Sequence, residues 1–328
     1  MKRLSLRPDA NYTKATIIRL GQSLDADYVI YGSYELKLAP DDSSLKDGSV
    51  QVTAQFIDLR KLHNGPDVSE TGKLADLSRL DEHLAWECTK YVDAGTKLTL
   101  DSFMAPEKSI RLDAEESYIR GLLSGNQDQQ QKWFLQAANL DAHFAGPAYE
   151  LGKLYLERKD YRQAMHWLER VPAGDSRYPD AHFRMGLSAY QAADYNAAQN
   201  CFREVAKAMP LNEVYNNLGA AEDQLNQPAA LDDFRHAVDG DPNDPVYLFN
   251  LGAALLRRNL FEEAGRRLEA VTDRSPGDQQ AAELLERARN QQASPPGAKP
   301  LLPYRLKEKL DATAFRQLKA MLAPKAEE

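Results

Sequence analysis

From Tyr149 to Val271 the apolar positions carry two superposed periods. Locally they recur every three to four residues, the spacing of a buried helix face, and the whole pattern restarts every 33 or 34 residues. The segments around Leu151-Gly152, Met185-Gly186, Leu218-Gly219 and Leu251-Gly252 are copies of one another, with their glycines 34, 33 and 33 residues apart. A second echo follows each glycine: Ala164/Leu168/Val171, Ala198/Phe202/Val205, Ala230/Phe234/Ala237 and Ala264/Leu268/Val271. Pro210, Pro242 and Pro276 close three of the units. This predicts helix–turn–helix hairpins in which a small residue on the first helix admits the second, and proline, which has no N–H, stops it. Tyr161, Tyr195 and Phe261 fall at one place in the turn between the helices. A lone hairpin cannot bury its apolar face, so neighbours must stack into a solenoid.

The flanks extend the pattern. Residues 117–138, with Gly121 and Phe134, read as a divergent first pair, and Ala281, Leu284, Leu285 and Ala288 as a capping helix. Ser294-Pro295-Pro296-Gly297 marks a linker, and Leu306, Leu310, Phe315, Leu318 and Leu322 recur at helical spacing. The N-terminal hundred residues differ. Asn11–Leu24 reads as an amphipathic helix, Tyr28–Tyr34 and Val50–Phe56 as an antiparallel pair of strands, and Leu77–Val92 as a second helix. The expected organisation is an α+β region over 1–93, a linker over 94–112, a solenoid over 113–290, a linker over 291–303 and a tail helix over 304–328. The chain is thus an α+β fragment followed by an all-α superhelical solenoid, predominantly helical overall.

The Leu-Gly, Ala, Phe and Pro positions and their period resemble the tetratricopeptide repeat family, which implies a fold that binds other polypeptides. Leu20–Ser33, followed by Val52–Leu59, resembles the TolB-like N-terminal domain, a bacterial domain that often precedes such repeats. Members of that family usually carry a strand, a helix and another strand further upstream. The expectation is therefore that Met1 is a late start, the alternative being a reduced domain covered by the solenoid.

Composition narrows the chemistry. The 328 residues are 43% hydrophobic and 27% charged, and 41 Lys and Arg against 49 Asp and Glu give a net charge of −8. No global basic field favours nucleic acid, and no apolar run approaches the roughly 20 residues that span a bilayer. The first nine residues hold no long apolar stretch, so the chain as it stands is expected to be cytoplasmic. A periplasmic or envelope location is the expectation if a longer N terminus exists. The two cysteines, Cys88 and Cys201, lie on apolar helix faces and read as core. No phosphate loop, dinucleotide fingerprint, zinc-binding helix motif or Cys-x-x-Cys is present. His83 stands beside Asp81 and Glu82, and a solvated face explains it better than a proton relay. Gly32 reads as a close-packing site rather than a phosphate contact. No enzyme activity, metal or cofactor is expected.

Binding is the better expectation. First-helix side chains not used in stacking line the inner wall, which places Tyr149, Lys153, Phe183, Tyr190, Asn216, Asn217, Asp223, Phe249, Asn250 and Arg257 there or near it. Aromatic rings offer contact area, and Asn can hold a peptide backbone as both donor and acceptor. The competing reading is that several of them, above all Tyr149, Phe183 and Phe249, only pack against the next repeat. Some tetratricopeptide relatives clamp a chaperone's terminal carboxylate from such positions, but the basic set is incomplete here. The leading expectation is a noncatalytic scaffold that binds a peptide or helix in the groove, its protein partner unidentified. Two alternatives stand beside it: an autoinhibited or self-assembling adaptor, a homo-oligomer among its forms, whose tail helix fills the groove, and a peripheral component of a bacterial envelope complex.

Overall fold

The computed structural model describes residues 12–37, 48–93, 95–97, 99–103, 110–295, 297–311 and 315. They divide into two compact units, one built from residues up to Ile119 plus Asn139–His143, the other from Arg120–Ala138 and Phe144 onward.

In the first unit, α1 (Lys14–Ser23) leads into β1 (Tyr28–Lys37), β2 (Ser49–Asp58) and β3 (His63–Lys73), and α2 (Leu77–Val92) follows. The sheet is antiparallel in the order β1-β2-β3, with Tyr28 opposite Asp58 and Ser49 opposite Lys73. The third strand corrects the two-strand expectation. His63–Lys73 contains Gly65, Pro66 and Gly72, and only Val68 is apolar, so it has no alternating signal. It pairs because β2 offers a second edge, and Pro66 is tolerated because β3 is itself an edge strand beside the irregular register at Gln55/Ile57. The face of α2 meets the sheet as its spacing predicts: Leu84, Cys88 and Tyr91 pack with Val52, Ala54, Phe56 and Val68. Gly32 is a close approach, since a Cβ there would collide with the Thr53 carbonyl. The short helix α3 (Leu100–Phe103) lies within the expected 94–112 linker.

After α4 (Leu112–Leu123), whose last turns pass into the second unit, come α5 (Gln127–Leu140), α6 (Ala145–Glu157), α7 (Tyr161–Leu168), α8 (Tyr178–Gln191), α9 (Tyr195–Ala208), α10 (Asn212–Gln224), α11 (Ala230–Gly240), α12 (Pro245–Arg257), α13 (Phe261–Arg274) and α14 (Gln279–Arg289). Hairpins α6/α7, α8/α9, α10/α11 and α12/α13 stack in order, and α14 closes the array. First helices also touch successively: α6 on α8, α8 on α10, α10 on α12 and α12 on α14. The repeat glycines make this spacing. A Cβ at Gly186 would stand 2.7 Å from Phe202, at Gly219 3.1 Å from Phe234 and at Gly252 2.7 Å from Leu268, while Gly152 faces Leu168 and Gly121 faces Phe134. Each glycine thus meets the second helix of its own hairpin. The echoed Ala, Leu, Phe and Val side chains of the second helices are all buried.

The turns repeat as well. Lys159, Ala193, Asn226 and Asn259 take left-handed backbone with φ of 61°, 60°, 58° and 60°. At each, the next residue's N–H returns to a carbonyl of the preceding helix: Asp160 to Tyr155, Asp194 to Ala189, Gln227 to Glu222 and Leu260 to Leu255. This bond ends one helix while Asp160 and Asp194 already cap the next.

The expected tail helix is corrected over its first part. Tyr304–Leu310 is not helical; its backbone bonds go to groove side chains. Beyond Asp311, apart from Phe315, the expected tail helix lies outside the described residues. The preceding stretch, linker-like in composition, is fastened: Ser294 N–H donates to Asn259 Oδ1 at 2.7 Å, and Asn259 Nδ2 donates to the Ser294 carbonyl at 3.2 Å.

Candidate functional site

The polar centre of the second unit is formed by three asparagines on the inner faces of α10 and α12. Asn216, Asn217 and Asn250 are wholly buried, so their amides need partners. They partly satisfy one another: Asn216 Nδ2 donates to Asn217 Oδ1 at 3.1 Å, and Asn250 Nδ2 to Asn216 Oδ1 at 2.8 Å. The rest of their capacity goes to the chain's own C-terminal segment. Asn216 and Asn250 donate to the Arg305 carbonyl at 3.0 and 2.8 Å, and the Arg305 N–H donates back to Asn250 Oδ1 at 2.9 Å. Asn217 makes the same double bond with Lys307, donating to its carbonyl at 2.8 Å and accepting its N–H at 2.9 Å. In extended backbone, the N–H and C=O of one residue point to one side and those of its neighbour to the other. Residues 305 and 307 are two apart, so one wall of asparagines reads both.

The side chains follow the same alternation. Arg305 forms a bidentate pair with Asp278 at 2.6 and 2.8 Å, and its guanidinium lies 3.5 Å from the centre of the Phe249 ring. Lys307 reaches Asp244 at 2.5 Å, with its ammonium 4.7 Å from the Tyr247 ring. Each cation therefore receives one carboxylate and one aromatic face. Both carboxylates are also helix caps: Asp278 accepts the Ala281 N–H and Asp244 the Val246 and Tyr247 N–H groups. Arg305 holds the Asp278 carboxyl below the usual carboxylate range, with the helix N–H groups adding to the effect. Tyr304 is buried against Phe234 and donates its hydroxyl to Asp223, which also accepts from Arg257 and Arg258 at 2.6 and 2.5 Å. Burial and the Asp223 carboxylate push the Tyr304 phenol well up. Arg257 extends the grip to the Ala298 carbonyl, and Glu213 accepts the Asp311 N–H. Contacts from 311 at Glu213 through 307 at Asn217 to 304 at Asp223 mean that the segment runs antiparallel to α10.

Six of the ten candidate residues thus converge: Asn216, Asn217, Asp223, Phe249, Asn250 and Arg257. Phe183 is a correction. It is fully buried, packed edge-on against Phe202 of the partner helix α9. Tyr149 donates to Asp180 at 2.6 Å, Lys153 to Glu150 at 2.8 Å, and Tyr190 accepts from Gln224 at 3.3 Å, so none of these bonds reaches the tail. Sequence reasoning missed Asp244, Asp278, Tyr247 and Glu213. The two aspartates carried a signal as helix caps, but a cap reads as structural until a cation is seen beside it.

The helical unit has the tetratricopeptide-repeat fold. No family model matches the chain, and no curated protein matches it. Among solved structures it is similar to YrrB, described as a TPR protein with an unusual peptide-binding site: 23% identity, 48% of this chain, 92% of that one, TM-score 0.40. It is similar to MamA from Desulfovibrio magneticus RS-1 at 22% identity, covering 51% of this chain and 95% of that one with TM-score 0.45. For PilF of Pseudomonas aeruginosa the figures are 18%, 55%, 86% and 0.43.

Burial pushes the Cys201 thiol up to about 11, and burial with Asp81 nearby raises that of Cys88. His83 pairs with Glu70 at 2.6 Å. Among the described residues, no cluster of His, Cys, Asp and Glu is arranged for a metal, and no helix is long and apolar enough to cross a membrane.

Proposed function

We propose that this chain is a noncatalytic protein-interaction scaffold whose concave wall holds an extended polypeptide. One observation carries the reading: three buried asparagines on successive first helices grip both the N–H and the C=O of residues 305 and 307. Such bonds engage any backbone in that conformation, so the wall is a holder of extended chain. The expected tail occupancy belongs to the same reading, with the non-helical stretch Tyr304–Leu310 in place of a helix. The TolB-like likeness of residues 7–93 is kept as part of the proposal; the matched stretches fall on α1, β1 and β2, and β1 pairs with β2.

The test is Asn217→Ala combined with Asn250→Ala in the full chain. The expected result is faster hydrogen exchange at the amides of 305 and 307, by about tenfold or more for two lost bonds, with the helical circular dichroism retained. Unchanged exchange would count against the groove as a backbone holder.

A further inference from the structure

Resting on that reading, we propose that the groove selects an extended partner segment of the pattern Tyr-Arg-x-Lys, and that residues 298–311 are an internal copy of that ligand which holds the site closed.

The backbone bonds give no preference among sequences; the side-chain pockets do. The Arg305 site suits a planar guanidinium, with two parallel bonds to Asp278, a third to Gln280 at 3.3 Å and a ring beneath. A lysine there would lose the fork. The Lys307 site offers a single carboxylate oxygen and the face of the Tyr247 ring, which suits a compact ammonium. Tyr304 enters a pocket whose floor is Phe234 and whose far end is Asp223, so the pocket takes an aromatic ring with a hydroxyl donor. Charge complementarity fixes the partner's sign: Glu213, Asp244 and Asp278 all face the segment, making the wall acidic where the ligand is basic.

Two further features set how readily the segment gives way. It is joined to α14 by residues 290–303, so it competes at the high effective concentration of a short tether, about millimolar. Beside it a cleft of about 550 Å³ remains open, lined by Leu156, Arg184, Leu187 and Gln191 of α6 and α8 and by Tyr304 and Leu306. An incoming segment can seat residues there before the internal copy leaves.

The experiment uses the full chain and a fluorescent peptide of residues 299–311, with binding read by anisotropy. Arg305→Ala with Lys307→Ala opens the groove, and the peptide should bind this variant about tenfold or more tighter than it binds wild type. Replacing the peptide's Arg and Lys by Ala should weaken binding by about tenfold or more, and Arg by Lys severalfold. Equal binding of the basic and the alanine peptides overturns the selectivity while leaving the backbone holder standing. If no peptide binds the opened chain and its helical signal is intact, the proposed function falls with it. If the double variant loses its helical signal, wild type with excess peptide replaces it. Faster exchange at the amides of 305 and 307 supports displacement, and unchanged exchange at saturating peptide overturns it.

Discussion

Asp278 does two jobs with one carboxylate. Its Oδ1 accepts the Ala281 N–H at 3.1 Å, which starts α14, and both oxygens hold Arg305. The carboxyl is held below its usual range when the tail is docked, so docking favours the ionised form. By linkage, this contribution is complete above the ordinary carboxylate value of about 3.9 and disappears as pH falls through the lower docked value. Acidification below about pH 4 is therefore expected to release the tail, seen as faster exchange or protease cleavage near Arg305. Asp278→Asn should weaken docking at neutral pH and flatten that acid dependence. A release profile unchanged by the substitution would show that other carboxylates govern it.

At the scale of elements, the turn between paired helices is the recurring device of this array. Four turns of different sequence reach the same left-handed residue, and only Asn226 and Asn259 are of a type that tolerates it readily. Ala193 has φ of 60° without that tolerance. Ala193→Gly is expected to stabilise the chain by about 0.5–1 kcal/mol, measured as a higher urea midpoint. A lower midpoint would mean that the lost side chain contributes more than the relief of the backbone. The tail obeys another rule: the periodicity of Leu306, Leu310 and Phe315 suits a helix, and these residues do pack on the solenoid core, yet Tyr304–Leu310 is not helical. Groove asparagines supply the bonds that a helix would have made internally, and the cation pockets demand a two-residue repeat.

Within the second unit, the tail staples elements far apart in sequence. Tyr304 is buried in the same core as α10–α14, and bonds from residues 298–311 reach α10, α12 and the cap of α14. Solenoid stability is a sum of neighbouring interfaces, so a strap across several hairpins couples them. Tyr304→Ala removes a buried ring and leaves Asp223 short of a donor. The expected loss is about 2–4 kcal/mol, read by chemical denaturation monitored through the helical signal. A loss confined to tail exchange, with the midpoint unmoved, would mean that the tail rides on the array without bracing it.

The hairpins were legible in the primary structure because each depends on local rules: a 3.6-residue face, a small residue at the crossing, a proline at the end. The four repeat glycines and their echoed partners meet as their spacing requires, since residues 15 or 16 apart in a tight hairpin have few other places to go. Asn217 and Asn250 could be singled out for the same reason, as repeat-equivalent polar residues on an inner face, with Asn216 next to the first of them. What lay beyond the sequence was whatever depended on distant pairing. Strand β3 owes its existence to the free edge of β2, Phe183 turns inward because of Phe202, and Asp244 and Asp278 become cation sites only when residues 305 and 307 return across the groove. Local periodicity sets each element; occupancy of the groove depends on three-dimensional closure, which brings together charges and amides up to 98 positions apart.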